Sequence, residues 1–171
     1  MVSKKHHAGI TFLNILIFFT AILMHGNFES LLYIEQSKPF ILLALLTAYS
    51  TYSKFGWAAF AGALSGAFVD STASGSYCFN TIGLMLLAAL VCLLSNSVFN
   101  KNLKAAAVLC FIVSMIYFLT HWLILIAFKT SAGDNIEYLL QTALPNSLYT
   151  TVFILPFYFL YKHWNKKRNE N

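Results

Sequence analysis

One apolar run, residues 108–128, restricts the fold of this chain more than any other feature. It holds no Asp, Glu, Lys or Arg, and thirteen of its residues are Val, Leu, Ile or Phe. A run of 18 or more such residues is long enough to cross the hydrocarbon core of a membrane. On an insertion scale, these thirteen side chains contribute about −4 to −8 kcal/mol. The run therefore predicts a transmembrane helix.

Further apolar runs predict a single all-α domain, residues 1–171, built as a bundle of about six transmembrane helices. The composition, 58% hydrophobic and 10% charged, lies outside the usage of soluble globular proteins. The second and third runs have only about 14 residues, a length also typical of buried or re-entrant segments. Met24-His25-Gly26-Asn27 offers no small-x-small cleavage site, so we interpret the first run as a retained span. The predicted spans are residues 8–24, 39–52, 56–69, 77–99, 103–128 and 144–164.

The charges predict how this bundle is oriented. Six spans place both chain ends on one side, together with nine of the eleven basic residues, and five of the six acids on the other side. The positive-inside rule then makes both termini cytoplasmic in a multi-pass protein of the cell membrane, beside anionic lipid headgroups. No basic face with interleaved aromatic residues occurs outside the spans, which excludes nucleic-acid binding. The nine basic residues are Lys4, Lys5, Lys54, Lys101, Lys104, Lys162, Lys166, Lys167 and Arg168.

Span three carries a stripe of small residues that ends in an acid. Ala58, Gly62, Gly66 and Asp70 are four residues apart and share one helical face. Such a face lets another backbone approach closely in lipid. The span's four strongly apolar residues supply only about −1 to −2.5 kcal/mol, so we expect other helices rather than lipid to surround it. Internal packing is the favoured interpretation of the stripe; a partner chain or a substrate cavity is the alternative.

Two ionisable residues in or beside the spans are candidates for function. Asp70 lies at a helix C-terminus, where the helix dipole disfavours a negative charge. Its carboxylate is expected to bond the amides of the turn at residues 71–76, with a contact to another span or partner, or catalysis or ion binding, as alternatives. His121 lies in span five, and we expect a neutral histidine hydrogen-bonded in the bundle interior, with a functional role as the alternative.

Three prolines punctuate the predicted spans. Pro39 and Pro145 suit the first turns of spans two and six. Pro156 falls inside span six, where it crowds the carbonyl of Val152, and a neighbouring Thr150 or Thr151 is expected to help satisfy the freed groups.

The chain offers no pattern typical of an enzyme. The spans hold no paired carboxylates, no His-Glu-x-x-His, no Cys-x-x-Cys and no phosphate-binding loop. Asp70, Ser71 and His121 could share a depth, but their spacing fixes no triad geometry. We therefore predict no catalytic residue, no cofactor and no metal, and we interpret the three cysteines as packing residues.

Several segments give the chain a resemblance to the bacterial rod shape-determining protein family MreD. They cover nearly the whole chain of spans and basic ends, although Ser65 and several alanines stand where the family often carries Leu. The segments are Gly62-Ala-Leu-Ser-Gly66-Ala-Phe-Val-Asp70-Ser71, Ser74-Gly75-Ser76-Tyr77-Cys78-Phe79-Asn80, Pro145-Asn146-Ser147-Leu148-Tyr149, and Pro156 before a basic end.

The resemblance implies a non-catalytic subunit of the rod or elongation complex, which organises lateral peptidoglycan synthesis and cell shape. It implies association with an MreC-like bitopic membrane protein and, through it, with MreB, RodA and a class B penicillin-binding protein. Together with the residue patterns above, it gives as helix-packing or partner candidates Gly62, Gly66, Asp70, His121, Pro145, Asn146 and Tyr149. The family is also similar in fold to the S-components of energy-coupling-factor vitamin transporters, and a substrate-binding S-component is the alternative function. S-components dock through an Ala-x-x-x-Ala face on span one, and between Ile10 and Met24 this chain has Ala21 alone.

Overall fold

The structure, a computed structural model, describes residues 16–21, 39–72, 78–97, 102–128 and 142–169, and these are all-helical without a strand among them. The ends of the predicted first span, the stretches 22–38 and 129–141, and the turn residues 73–77 lie outside the described residues. The helices are α1 (16–21), α2 (Ile41–Tyr52), α3 (Phe55–Thr72), α4 (Phe79–Ser97), α5 (Leu103–Phe128) and α6 (Leu144–Asn169).

The short helix α2 is the centre of the bundle. Ten of its twelve residues are buried, and it packs against α3, α4, α5 and α6. Its sequence is apolar on every side apart from a few hydroxyls, and a helix of that kind is stable only when it is covered all round. At 1.5 Å per residue it is about 18 Å long, shorter than the hydrocarbon core.

From α2 to α6, successive helices run in opposite directions, and contacts between them fix this arrangement. The Ser95 hydroxyl of α4 donates to the Thr51 carbonyl of α2 at 3.3 Å. The rings of Tyr52 in α2 and Tyr158 in α6 lie 5.9 Å apart. The C-terminal ends of α2, α4 and α6 therefore meet at one end of the bundle, which we call the aromatic end and define by Tyr49, Tyr52, Tyr158 and Tyr161.

Helix α3 lies at the edge of the described bundle. It packs mainly on α4 and less on α2. Trp57, Phe60 and Leu64 on its far side are 62%, 55% and 55% exposed. The described helices therefore do not surround α3 as expected. Its small residues share one face, which is covered mainly by α4, and its large apolar residues occupy the opposite face, which the described helices leave exposed.

Among the described residues, two helices are long and apolar enough to cross a membrane. They are α4, with a mean hydropathy of 1.9, and residues 103–123 of α5, with a mean hydropathy of 2.1. Helix α2 is apolar but short. Glycine, alanine and serine dilute the hydropathy of α3, and hydroxyl and basic residues dilute that of α6.

Of the two prolines predicted in the first turn of a helix, one lies there and the other does not. Helix α2 begins at Ile41 with Phe40 as its N-cap. Pro39 therefore lies two residues before the helix, whereas the sequence predicted it in the first turn. Pro145 is the second residue of α6, where its missing N–H costs nothing. The prediction for Pro39 was wrong because the backbone N–H of Phe40 bonds a side chain of another helix, the Thr150 hydroxyl of α6.

Helix α6 continues through Pro156 to its end at Asn169. The Thr150 and Thr151 hydroxyls donate to the carbonyls of Asn146 and Ser147, both at 2.7 Å. These two acceptors lie at least one turn before Val152, the residue whose carbonyl the proline crowds. The expectation that the two threonines satisfy groups freed by Pro156 is therefore wrong.

Candidate functional site

The glycine stripe of α3 is the face on which α4 packs. Gly62 and Gly66 are buried, and Ala58 is fully buried. A Cβ added at Gly62 would collide with the carbonyl oxygen of Leu84 and come within 2.9 Å of the Ala88 Cβ. The backbones of the two helices are thus in direct contact, which only glycine allows.

Gly66 makes the closest approach. A Cβ there would collide with the carbonyl oxygen of Asn80 and the Cα of Thr81, and would lie 2.6 Å from the Asn80 carbonyl carbon. These are backbone atoms in the first turn of α4, and they cannot rotate out of the way. The first turn of α4 is therefore held against α3 one helical turn before Asp70.

Asp70 caps the start of α4. Its Oδ1 accepts hydrogen bonds from the backbone N–H of Asn80 at 3.1 Å and from the Asn80 side-chain amide at 2.9 Å. Its Oδ2 accepts from the backbone N–H of Thr81 at 2.8 Å and from the Thr81 hydroxyl at 2.6 Å. The two backbone donors belong to the first turn of a helix, where N–H groups have no partner within the helix.

This geometry explains why an acid stands at the C-terminus of a helix. The dipole of α3 disfavours the carboxylate, but the dipole of α4 presents its positive end to the same group. Among the alternatives for Asp70, these four bonds correspond to a contact with the next span. The amides of residues 73–77 in the expected turn lie outside the described residues.

The hydrogen bonds also set the charge of Asp70, which lies one residue beyond the predicted span 56–69. Partial burial opposes ionisation, but the bonds from Thr81 and Asn80 together outweigh it and hold the pKa of the carboxyl below its ordinary value of 3.8. The group is a carboxylate at neutral pH, accepting four hydrogen bonds.

Tyr117 extends this arrangement to α5. Its hydroxyl donates to the Asn80 side-chain oxygen at 2.8 Å, and its ring lies 4.9 Å from that of Phe40, the N-cap of α2. Asn80 and Tyr117 are 3% and 8% exposed. These hydrogen bonds form one unit, which we call the polar junction and which consists of Asp70, Asn80, Thr81 and Tyr117. It ties α3, α4 and α5 together at the end opposite the aromatic end.

His121 lies beside the polar junction but forms no triad with Asp70 and Ser71. Its ring is half-buried one turn beyond Tyr117, with ring centroids 6.4 Å apart. The Ser71 hydroxyl donates to the Phe68 carbonyl at 2.7 Å, while Asp70 is bonded to α4. The structure therefore gives no nucleophile activated by these residues.

The start of α6 lies at the same end of the bundle and anchors α2. The Thr150 hydroxyl accepts a hydrogen bond from the backbone N–H of Phe40 at 2.9 Å and donates to the carbonyl of Asn146. Asn146 is 6% exposed. Tyr149 is half-buried and meets Phe153 edge to face at 5.4 Å. The Phe40 N–H stands at the start of α2, where no partner exists within the helix, and a hydroxyl from the last helix satisfies it.

Sequence reasoning missed a buried group of hydroxyls around the Cys110 thiol. Ser114 of α5, Thr47 of α2 and Thr151 of α6 lie next to this thiol. Cys110, Ser114 and Thr47 are all fully buried. The sequence did contain a signal for this group, namely serines and threonines at matching depth in the apolar runs of α2, α5 and α6. Polar side chains of this kind hold helices together where lipid provides no hydrophobic drive.

The described residues contain no group of three His, Cys, Asp or Glu side chains that could hold a metal ion. The polar junction instead has the properties of a structural clasp. The Asp70 carboxylate accepts from four donors, and the Asn80 side-chain amide bonds both Asp70 and Tyr117. Next to the junction, Gly66 brings the backbones of α3 and α4 into contact. The geometry of the junction fixes the relative positions of three helices.

The described residues define the class: an all-helical protein in which two helices are long and apolar enough to cross a membrane. No family model, curated protein or solved structure matches the chain.

Proposed function

We propose that the chain is a multi-pass protein of the cell membrane with six crossings. The apolar outer surface supports this. Only 33% of α4 and 33% of residues 103–123 of α5 is buried within the chain, whereas the core helix of a soluble protein is mostly buried. Soluble proteins rarely expose large contiguous apolar patches. The outward-facing residues on α4, α5 and α6 are Ile82, Leu86, Leu90, Leu93, Val108, Ile112, Ile116, Leu123, Leu148, Val152, Leu155 and Phe159.

The aromatic end is cytoplasmic in this proposal, and so are both termini. Lys54, Lys104 and Lys162 are exposed at that end, whereas Asp70 belongs to the opposite end. The positive-inside rule places the lysine-bearing end in the cytoplasm.

Within the membrane, the chain acts as a non-catalytic subunit of the bacterial rod or elongation complex. The observation that carries this proposal is the fold of the segment on which the family resemblance rests. Gly62, Gly66 and Asp70 seat and cap the next helix of the same chain, and this use of the segment in holding the fold together supports a structural, non-catalytic subunit. The partners are an MreC-like bitopic membrane protein and, through it, MreB, RodA and a class B penicillin-binding protein, without cofactor or metal.

The partner binds elsewhere than the glycine stripe, because α4 already covers it. The alternative, a vitamin-binding S-component, needs convergent polar groups that are free to meet a ligand. Asn80, one of the few candidates, is engaged by Asp70 and Tyr117. The closed polar junction thus favours the scaffolding function over ligand binding.

Depletion and complementation test the proposal. Cells that lose the chromosomal copy should become round and wide. Wild-type protein and Gly83→Ala, an exchange into open space, should restore rods, and the tagged protein should co-purify with an MreC-like partner. Unchanged cell width on depletion would contradict the scaffolding role. Nanomolar binding of thiamine, biotin or riboflavin to the purified protein would support the S-component function instead.

A further inference from the structure

Among the described residues, the aromatic end carries cations and no carboxylate. Lys54 lies in the turn between α2 and α3, Lys104 in the first turn of α5, and Lys162 near the end of α6, and all three are exposed. Among the residues that the structure describes, the sole carboxylate is Asp70, at the other end and already bonded. The positive charge of this end must therefore be balanced by something other than these residues.

The last helix adds to this charge. Helix α6 continues to Asn169, and its final stretch contains Lys166, Lys167 and Arg168. Lys162 and Lys166 are four residues apart and share one helical face. The Lys162 amine lies 5.9 Å from the centre of the buried Tyr158 ring, so its stem runs along the protein while its charge stays at the surface.

Exposed aromatic residues accompany the lysines at the same end. Phe55 and Trp57 follow Lys54 closely in the chain and are 52% and 62% exposed. Trp164 packs edge to face on Tyr161 at 5.6 Å. Aromatic rings and lysines at a common depth are typical of the headgroup layer of a membrane.

We propose that the aromatic end is a binding surface for anionic phospholipid headgroups, in which Lys54, Lys104 and Lys162 contact lipid phosphates. The proposal rests on the membrane location proposed above. The cations stand at the ends of separate helices and not on one patch, which suits a layer of headgroups better than an acidic protein. Each lysine near an anionic surface strengthens binding about fivefold, so three contribute on the order of a hundredfold.

The test uses the full-length protein in mixed micelles that contain equal amounts of phosphatidylglycerol and phosphatidylcholine. Native mass spectrometry counts the lipids that remain bound. Wild type should retain phosphatidylglycerol at least about tenfold over phosphatidylcholine, and the preference should shrink at high salt. The variant Lys54→Gln/Lys104→Gln/Lys162→Gln should lose the preference. The matched control Lys38→Gln/Lys129→Gln, whose lysines are predicted on the other side, should keep it.

Equal retention of the two lipids by wild type, or an unchanged preference in the triple variant, would overturn the proposal. Displacement of the lipid by inorganic phosphate at matched ionic strength would also overturn it, because the site would then recognise free phosphate. If the triple variant keeps its lipid preference but no longer co-purifies with an acidic protein that binds the wild type, the lysines bind protein and the proposal is contradicted. If the protein prefers phosphatidylglycerol but does not co-purify with an MreC-like partner, the lipid-binding inference is supported and the scaffolding function is contradicted. If it co-purifies with the partner but shows no lipid preference, the scaffolding function is supported and the lipid-binding inference is contradicted.

Discussion

Replacing Gly66 with alanine tests the close packing of α3 on α4, and Gly83→Ala is its matched control. Both glycines lie in helices, and an alanine in a helix interior is favoured by about 0.5–1 kcal/mol when space allows. A Cβ at Gly83 meets nothing within 4 Å, so Gly83→Ala should be neutral or stabilising by that amount. A Cβ at Gly66 would collide with the backbone of Asn80 and Thr81.

The cost at Gly66 follows from these neighbours. Overpacking costs about 1–3 kcal/mol, and backbone atoms place this site at the upper end. A shift of the first turn of α4 would also weaken the bonds to Asp70, and one hydrogen bond to a charged group contributes about 1.5–3 kcal/mol. After the gain in helix propensity, Gly66→Ala should destabilise the protein by about 2–4 kcal/mol.

Reversible unfolding in detergent, followed by tryptophan fluorescence and circular dichroism, measures this difference. The two variants should differ in free energy of unfolding by about 3 kcal/mol, with Gly66→Ala the less stable. If Gly66→Ala is as stable as Gly83→Ala, the backbones of α3 and α4 are not in contact there, and the account of the stripe is refuted.

Three more predictions concern the polar junction and the topology. In the same unfolding assay, Asp70→Asn should lower the free energy of unfolding by about 1–2 kcal/mol, because one acceptor oxygen remains. Asp70→Leu should lower it further, because all four donors lose their acceptor. Equal losses for the two variants would contradict the capping role. The folded pKa of Asp70 lies below the ordinary value of 3.8. Its contribution to stability is therefore complete above that value and lost as the pH falls through the folded pKa, and Asp70→Asn should remove this part of the acid dependence of unfolding. In intact cells, an impermeant thiol reagent should label the exposed Cys78. In a Cys78→Ser background it should label a cysteine at Gly133 but not one at Asn102, and the reverse pattern would overturn the orientation.

Hydropathy predicted where the helices lie but not which of them is central. Helix α5 begins and ends at the predicted residues, 103 and 128, and no glycine, proline or acidic residue interrupts its run. For α3, a count of apolar residues did not show that one of its faces is left exposed by the described helices. The all-round apolar sequence of α2 was the available cue for a central helix.

The site was predictable in its residues and not in its contacts. The four-residue spacing of the glycines indicated a close helix crossing, and the structure shows the partner to be α4. That Asp70 reaches Asn80 and Thr81 depends on how tightly the intervening turn brings the two helices together, which spacing alone does not determine. The buried hydroxyls around Cys110 depend on the relative depth of three helices, which single runs do not encode.

The central position of α2 has a consequence for biosynthesis. The contact between Phe40 and Thr150 spans 110 residues of sequence. At about 5–20 residues per second, the ribosome needs on the order of 5–20 s to make the chain between them. Helix α2 is made early, yet its cover is complete only when α6 arrives. During this interval the insertion machinery or lipid must shelter a helix that is shorter than the hydrocarbon core, so the core of this bundle is the last part to reach its final surroundings.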